Sequence, residues 1–216
     1  MYYDETEEGT PYYVMPFLDR SLVGEIGKDA FSVDVKEDLE PELYPRKLPL
    51  ARALKILEQT ALALKSVHQA GLIHCDIKPA NILLDKAGNV QVCDFGIAKL
   101  PDYEQIQCSV GMGRRNYMSP EQRESAKHVK TCSDIYSLGV VAYRILTGSL
   151  PQGRFDDPIA FTPNMGAGLN KLILQCIDFE PTKRPGDAGA FLKVFRQCMN
   201  EKTQIDFSKE NEETGT

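Results

Sequence analysis

The chain has 216 residues, of which 42% are hydrophobic and 26% charged, a balance typical of a soluble globular protein with one sizeable core. Its formal net charge of −6 argues against broad nucleic-acid binding. Six cysteines are scattered without a CxxC pair, which favours free thiols over disulfides or a zinc site. No signal peptide and no apolar run that could cross a bilayer is recognisable, so a cytoplasmic protein without a membrane segment is expected.

The first fifty residues predict a small sheet, a short helix and a long loop. Residues 12–18 (YYVMPFL) are typical of a buried strand, and residues 1–3 could form the end of its partner strand. A short helix is expected to begin near Ser21, with that residue as its N-cap, and to reach Gly27. Residues 28–49 are charged and punctuated by prolines, which indicates a loop.

A long helix and a hairpin come next. Apolar residues recur at helical spacing from residue 50 onward, and Gly71 is placed to end that helix. Two aliphatic runs, at 82–84 and 90–92, are separated by the turn sequence DKAGN. Together they predict a β-hairpin.

Three further helices are predicted in the second half of the chain. The stretch from Ser133 to Gly148 is apolar around nearly its whole circumference, which marks a helix in the middle of a domain. Residues 169–179 and 188–199 form amphipathic patterns. The charged segment from about residue 201 predicts a disordered tail.

The predicted hairpin gathers polar side chains at its open end. Asn81 comes just before the first strand and Asp94 just after the second, while Asp76 and Lys78 lie on the loop that leads in. Carboxylate and amide oxygens suit Mg²⁺ better than zinc and leave room for water and phosphate. The hairpin therefore predicts a site that handles phosphate.

Several short motifs occur in an order that points to one family. They are HCDIKPAN at 74–81, DFG at 94–96, SPE at 119–121 and DIYSLG at 134–139, with PTKRP at 181–185 downstream. They resemble the catalytic loop, metal-binding triplet, end of the activation segment and central helix of eukaryotic-type Ser/Thr protein kinases. The lysine within DIKPAN is the form typical of the Ser/Thr branch.

The resemblance covers nearly the whole chain and implies an α+β, mostly α fold: a kinase-like C-lobe with a catalytic-loop β-hairpin and a remnant of the N-lobe sheet. Residues 1–18 would be remnant N-lobe strands and hinge, 19–199 the C-lobe and 200–216 the charged disordered tail. No Gly-rich loop and no VAIK-like lysine precede YYVMPFL. A further chain or segment that supplies the rest of the N-lobe is therefore expected.

The resemblance also implies roles for the four residues around the hairpin. Asp76 would accept the proton of the substrate hydroxyl or orient that hydroxyl, and Lys78 would hold the transferring phosphoryl oxygens. Asn81 and Asp94 would ligate Mg²⁺ on the phosphates of ATP. Taken singly, each residue has an ordinary structural interpretation, such as a loop-capping carboxylate or a turn residue. The joint pattern favours the kinase site.

An adenine site is implied by the same resemblance. Met15 would be the gatekeeper, the backbone of Phe17 and Leu18 would bond the base, and Leu83 would lie beneath it. Plain core packing is the competing interpretation for each of these side chains.

Other family positions are expected to support the structure. Glu121 and Arg184 resemble the buried ion pair of the family, and Asp134 resembles its helix-anchoring carboxylate. His74 and Phe95 are interpreted as packing residues.

Two substitutions depart from the family pattern. Cys75 stands where the family has the arginine that pairs with a phosphorylated activation loop, which puts such control in doubt. Arg114 stands where a threonine usually contacts the catalytic residues. It could disturb the approach of the hydroxyl, favour an acidic peptide or belong to a solvated loop.

The leading hypothesis is therefore a partial Ser/Thr protein kinase domain, active on protein Ser or Thr hydroxyls once a complete N-lobe is present. The alternative is a non-catalytic kinase-like lobe that binds or scaffolds other proteins.

Overall fold

A computed structural model of the chain describes residues 2–6, 11–14, 18, 20–29, 40–94 and 115–213. Met15, Phe17, Phe95 and Arg114, which carry sequence-based predictions, lie outside these residues.

The described residues of the first half of the chain form two small antiparallel sheets. Strands β1 (Tyr2–Glu5) and β2 (Pro11–Val14) pair with each other, which confirms the predicted partner strand. The second sheet has the order β3-β4-β5, with β3 at Arg20–Ser21, β4 at Ile82–Leu84 and β5 at Val90–Val92. The predicted hairpin is thus confirmed, and a short strand from the start of the chain extends it.

Helix α1 (Leu22–Ile26) follows β3 directly. Ser21 stands at its N-cap position as predicted, but its side chain makes no capping hydrogen bond. Gly27 ends the helix with a φ of +74°, and its Cα packs against the carbonyl of Tyr44 so closely that no side chain would fit.

The rest of the described chain is mainly helical. The helices are α2 (Leu50–Gln69), α3 (Pro120–Glu124), α4 (Thr131–Thr147), α5 (Pro158–Phe161), α6 (Ala167–Cys176) and α7 (Ala188–Glu213). Short 3₁₀ turns lie at Pro41–Leu43, Pro79–Asn81, Ala126–His128, Pro163–Met165 and Pro181–Lys183.

Helix α4 is the centre of the domain, as its sequence predicted. Fifteen of its 17 residues are buried, and α2, α6 and α7 pack around it. Gly139 allows the closest approach, because a Cβ there would lie 2.6 Å from the Cβ of Cys176 on α6. The apolar core is therefore organised around one helix that has almost no solvent face.

Two helix boundaries differ from the predictions. Helix α4 begins at Thr131, two residues before the predicted cap Ser133, whose hydroxyl instead donates to Glu121 at 2.7 Å. Helix α7 continues to Glu213, into the segment for which disorder was expected. That segment contains no proline, and its Glu, Lys and Gln residues have high helix propensity. Among the described residues, no helix has the length and apolarity needed to span a membrane.

Candidate active site

The loop between α2 and β4 carries the predicted catalytic residues and is fixed by one buried carboxylate. Asp134, at the start of α4, is completely buried. Its oxygens accept hydrogen bonds at 2.8 Å from the backbone N–H groups of His74 and Cys75. His68 at the end of α2 adds a third, through Nε2 at 2.9 Å, while its Nδ1 accepts from the N–H of Ala188. The predicted anchoring role of Asp134 is confirmed, and the contribution of His68 is new.

Two residues with left-handed backbone flank the site. Cys75 and Asp94 both have a φ of +66°, and no other described non-glycine residue has a positive φ. Asp tolerates this conformation, whereas it is strained for cysteine. The strain at Cys75 is offset because Asp134 accepts from its N–H and Gln122 donates to its carbonyl at 3.0 Å.

Asp76 lies within a compact polar cluster. It is only 4% exposed, and its Oδ2 accepts hydrogen bonds from Lys78 Nζ at 2.8 Å and from Asn81 Nδ2 at 3.0 Å. Asn81 Nδ2 also donates to the backbone carbonyl of Asp76 at 2.8 Å. The structure therefore brings together the first three of the four residues that the sequence placed around the hairpin.

The hairpin positions the fourth residue, Asp94. Ile82 pairs with Val92, and the N–H of Cys93 donates to the carbonyl of Asn81 at 3.0 Å. Asp94, the next residue, is exposed at the open end of the hairpin. The pairing register thus carries the chain from the buried Asn81 to an accessible carboxylate.

His74 links the loop to the end of the hairpin. Its Nε2–H donates to the carbonyl of Cys93 at 3.1 Å, and its Nδ1 accepts from the N–H of Asp76 at 3.3 Å. Burial lowers the pKa of His74, although the carboxylates of Asp134, Asp76 and Asp94 act in the opposite direction. A neutral ring satisfies both contacts. The sequence alone predicts only a packing role for His74, because no spacing rule reveals this bridge.

The oxygen donors fit a hard divalent cation. Within the described residues, no group of three His, Cys, Asp or Glu side chains could hold a metal unaided. Asn81 directs its amide nitrogen to Asp76, which leaves its carbonyl oxygen as the possible ligand atom, and Asp94 offers a carboxylate. Such a pair suits an ion that takes its remaining ligands from phosphate and water.

The predicted adenine residues are described only in part. Ile82 and Leu84 of β4 are buried in the core, whereas the half-buried Leu83 points to the opposite face of the strand. Leu18 is half-buried as well. The roles proposed for these two residues stay predictions.

The buried ion pair is present as predicted. Arg184 donates to both carboxylate oxygens of Glu121, at 2.7 and 3.0 Å. Ser133 donates to the same carboxylate. This pair joins α3 to the segment before α7 and so supports the catalytic loop, which Gln122 of α3 contacts directly.

Comparison with known proteins decides the family. The sequence model described as "Protein kinase domain" matches residues 33–202. The chain belongs to the protein kinase family. Members of this family use ATP and a divalent metal ion, which agrees with the oxygen donors found here.

The curated relatives include bacterial kinases. The chain is 36% identical over 178 residues to Serine/threonine-protein kinase pkn2 of Myxococcus xanthus, a match that covers 70% of this chain and 21% of that protein. It is 34% identical over 223 residues to Serine/threonine-protein kinase Pkn1 of the same organism, covering 92% and 29% respectively. It is 45% identical over 106 residues to Serine/threonine-protein kinase PknA of Mycobacterium tuberculosis, covering 49% and 24%. The chain thus spans less than a third of the length of these relatives.

Proposed function

We propose that this chain carries the catalytic lobe of a Ser/Thr protein kinase that transfers the γ-phosphate of MgATP to Ser or Thr hydroxyls of proteins. The observation that carries the proposal is the buried Asp76, whose Oδ2 is held by Lys78 and Asn81. Phosphoryl transfer depends mainly on positioning and on neutralised charge, and this cluster supplies both.

Asp76 would receive the hydroxyl of the substrate. The side chain is fixed by its neighbours, and its loop is anchored by Asp134, so the carboxylate is preorganised as a hydrogen-bond acceptor. Lys78, with its side chain 23% exposed, can keep contact with Asp76 while its cation faces an incoming phosphoryl group. The hydroxyl would be oriented by Asp76, and the charge on the transferring oxygens would be reduced by Lys78.

Asn81 and Asp94 would hold Mg²⁺. The ion would neutralise the phosphate oxygens of ATP when bound. Leu83, with Leu18, Met15 and Phe17, would contact the adenine.

Elements of a small lobe are needed to cover the phosphates of ATP on the side opposite the catalytic loop. Since the sequence has no Gly-rich loop ahead of residue 12, we propose that a further segment or chain supplies the small-lobe elements. A reducing, cytoplasmic setting fits the cysteines, because all five in the described residues are free thiols.

The test is a phosphotransfer assay on the natural full-length gene product, with radiolabelled ATP, Mg²⁺ and a mixture of Ser/Thr peptides. We expect Asp76→Asn to lower kcat by at least about 100-fold, since positioned acid–base groups typically contribute 10²–10⁴. Glu180→Gln is the matched control, because it neutralises an exposed carboxylate far from the site. Its kcat should equal that of the wild type.

Equal activity of Asp76→Asn and wild type would contradict the proposed role. Absence of phosphotransfer in the wild type would favour a kinase-like binding lobe instead. In that case a thermal melt with and without MgATP shows whether the lobe still binds nucleotide.

A further inference from the structure

A cavity of about 670 Å³ lies beside the catalytic loop. Its walls come from residues 115–118, helix α3, Tyr136 of α4 and the turn at residues 151–153. Asn81 and Asp94, the proposed ligands of Mg²⁺, do not line it. The cavity is therefore distinct from the proposed nucleotide site.

Among the described residues that line this cavity, the charged groups are all cationic. Arg115 and Arg123 are exposed and contribute guanidinium groups, and none of these described lining residues is Asp or Glu. Within the described part of the chain, neither arginine forms an ion pair with a carboxylate. Arg123 Nη2 donates to the carbonyl of Arg115 at 2.9 Å, which holds the two residues together. Guanidinium groups bind carboxylate or phosphate oxygens well.

An unused hydrogen-bond donor lies in the same wall. Asn116 accepts a hydrogen bond from Gln152 Nε2 at 3.2 Å through its Oδ1. Its Nδ2 is buried and finds no acceptor among the described residues; no other buried side-chain nitrogen or oxygen described here is left in this state. Buried donors are nearly always paired, so we expect Asn116 Nδ2 to donate to an acceptor on a bound molecule.

The cavity also touches the catalytic loop. Gln122, which lines it, donates from Nε2 to the carbonyl of Cys75, the residue before Asp76. Gln122 Oε1 in turn accepts from the hydroxyl and the N–H of Ser119. The cavity wall is thus hydrogen-bonded to the residue that precedes Asp76, the proposed acceptor of the substrate hydroxyl.

We propose that this cavity binds an anionic side chain of the protein substrate, close in sequence to the Ser or Thr that is phosphorylated. Arg115 and Arg123 bind the anion, and Asn116 Nδ2 donates to it. The anion is either the carboxylate of Glu or Asp or the phosphate of a residue that is already phosphorylated. The inference deepens the proposed kinase function and rests on it.

The first test measures binding without catalysis. Fluorescein-labelled peptides with a central Ser carry Glu, phosphoserine, Lys or Ala at each of four positions on either side. Anisotropy with the natural full-length protein, at low salt and without ATP, gives the affinities. We expect Glu or phosphoserine at one or two positions to bind about tenfold more tightly than Ala, and Lys to bind more weakly than Ala. A larger gain for phosphoserine than for Glu identifies phosphate as the natural anion, and equal gains identify a carboxylate.

Single substitutions test which residues of the protein contact the anionic side chain of the peptide. Arg115→Ala and Arg123→Ala should each remove most of the preference for the anion. Arg196→Ala removes the same charge from a distant, exposed position on α7 and should leave the preference intact. Asn116→Asp, which replaces the donor with a carboxylate at nearly constant volume, should abolish it. The double variant Arg115→Glu, Arg123→Glu should prefer Lys, a gain that mere unfolding could not produce.

The second test measures kcat/KM for the same peptides, and separates this inference from the proposed function. Equal kcat/KM for the Glu, phosphoserine and Ala peptides with an active wild-type enzyme would overturn the anion site and leave the kinase function standing. Anion-dependent binding that is lost in Arg115→Ala, without phosphotransfer to any peptide, would support the site and overturn the function. Equal losses in Arg115→Ala and Arg196→Ala would overturn the site, since they would show a general charge effect.

Discussion

Among the residues that the structure describes, Arg144 and Arg184 are almost completely buried, and their side chains bind different sets of partners. Arg184 is 4% exposed and donates hydrogen bonds to both carboxylate oxygens of Glu121, whose side chain is only 8% exposed. Arg144, on α4, is 1% exposed but gives only one nitrogen to a carboxylate, that of Asp29, whose side chain is 17% exposed.

The remaining nitrogens of Arg144 serve the main chain. They donate to the carbonyls of Ile26, Lys28 and Arg46, so that the end of α1 and two loop segments are held against α4.

Arg184 also donates to three backbone carbonyls, those of Cys132, Asp178 and Phe179. It differs from Arg144 in its bidentate ion pair with Glu121, which joins α3 to the segment before α7. Loss of either arginine leaves three carbonyls without a donor, but loss of Arg184 also leaves the more deeply buried carboxylate, that of Glu121, without its cation.

The largest expected effect is that of Arg184→Met. Glu121 would stay buried with Ser133 as its remaining side-chain donor, so the free energy of unfolding should fall by about 3–5 kcal/mol. Urea unfolding followed by circular dichroism measures this change. Lys183→Met is the control: its side chain is 65% exposed, and its nitrogen lies 3.8 Å from Asp178, so it should cost less than about 0.5 kcal/mol.

The double variant Glu121→Gln, Arg184→Met sharpens this result. It removes the stranded charge and should recover part of the loss. A cost below about 1 kcal/mol for Arg184→Met alone would mean that Glu121 finds water or protonates easily, contrary to its burial.

Arg144→Met should rank second. Three carbonyls would lose a donor, and Asp29 could still be hydrated because it is partly exposed, so about 2–3 kcal/mol is expected. Arg46→Met is the matched control. Arg46 also donates to three backbone carbonyls, each at 2.7 Å, but it lies on the surface, where water can replace it. A cost of Arg46→Met equal to that of Arg144→Met would show that burial is not the deciding factor.

Tyr117→Phe is a milder perturbation of Asp29, the carboxylate that pairs with Arg144. The Tyr117 hydroxyl donates to Asp29 at 2.9 Å, and burial, then the charge of Asp29, raises the pKa of Tyr117 far above its ordinary value of 10. Removing this hydroxyl should cost about 1 kcal/mol, since Asp29 keeps Arg144. Tyr143→Phe, which loses a hydrogen bond to the carbonyl of Asp156, is a suitable comparison in the same urea experiment. No change for Tyr117→Phe would mean that Asp29 is satisfied without it.

The two arginines also show how far sequence reasoning extends. Glu121 and Arg184 fall in motifs, so their pairing could be predicted. Arg144 carries a weaker signal: a charged residue in a helix that is apolar all round needs a partner. That partner, Asp29, is 115 residues away in a segment that begins the predicted loop, and no periodicity connects the two.

The candidate site likewise contains some features that the sequence predicts and others that it does not. A hairpin flanked by Asn81 and Asp94 is a local pattern, and it correctly predicts the strand pairing that brings the end of β5 beside Asn81. The left-handed backbone of Cys75 and the bridge made by His74 depend on contacts between distant segments. So does the position of Asn116 Nδ2, which has no acceptor among the described residues. Local sequence rules contain no information on such contacts.

The smallest effect expected is on the pH dependence of the free energy of unfolding. It again distinguishes the Glu121–Arg184 pair from the Asp29–Arg144 pair. Burial acts to raise the pKa of Glu121, but the hydrogen bonds from Arg184 and Ser133 outweigh it, so the pKa in the folded state lies below the ordinary 4.5. The unfolded chain then binds a proton more readily than the folded one. The stability contributed by Glu121 is therefore fully present above pH 4.5 and is lost as the pH falls through the lower, folded-state pKa. The free energies of unfolding of wild type and Glu121→Gln, measured by urea between pH 6 and 2.5, should converge as the pH falls below 4.5. Glu180→Gln, an exposed site, should run parallel to the wild type. A Glu121→Gln curve that also runs parallel would mean that Arg184 does not favour the charged form of Glu121, and the contrast with the carbonyl-binding Arg144 would then disappear.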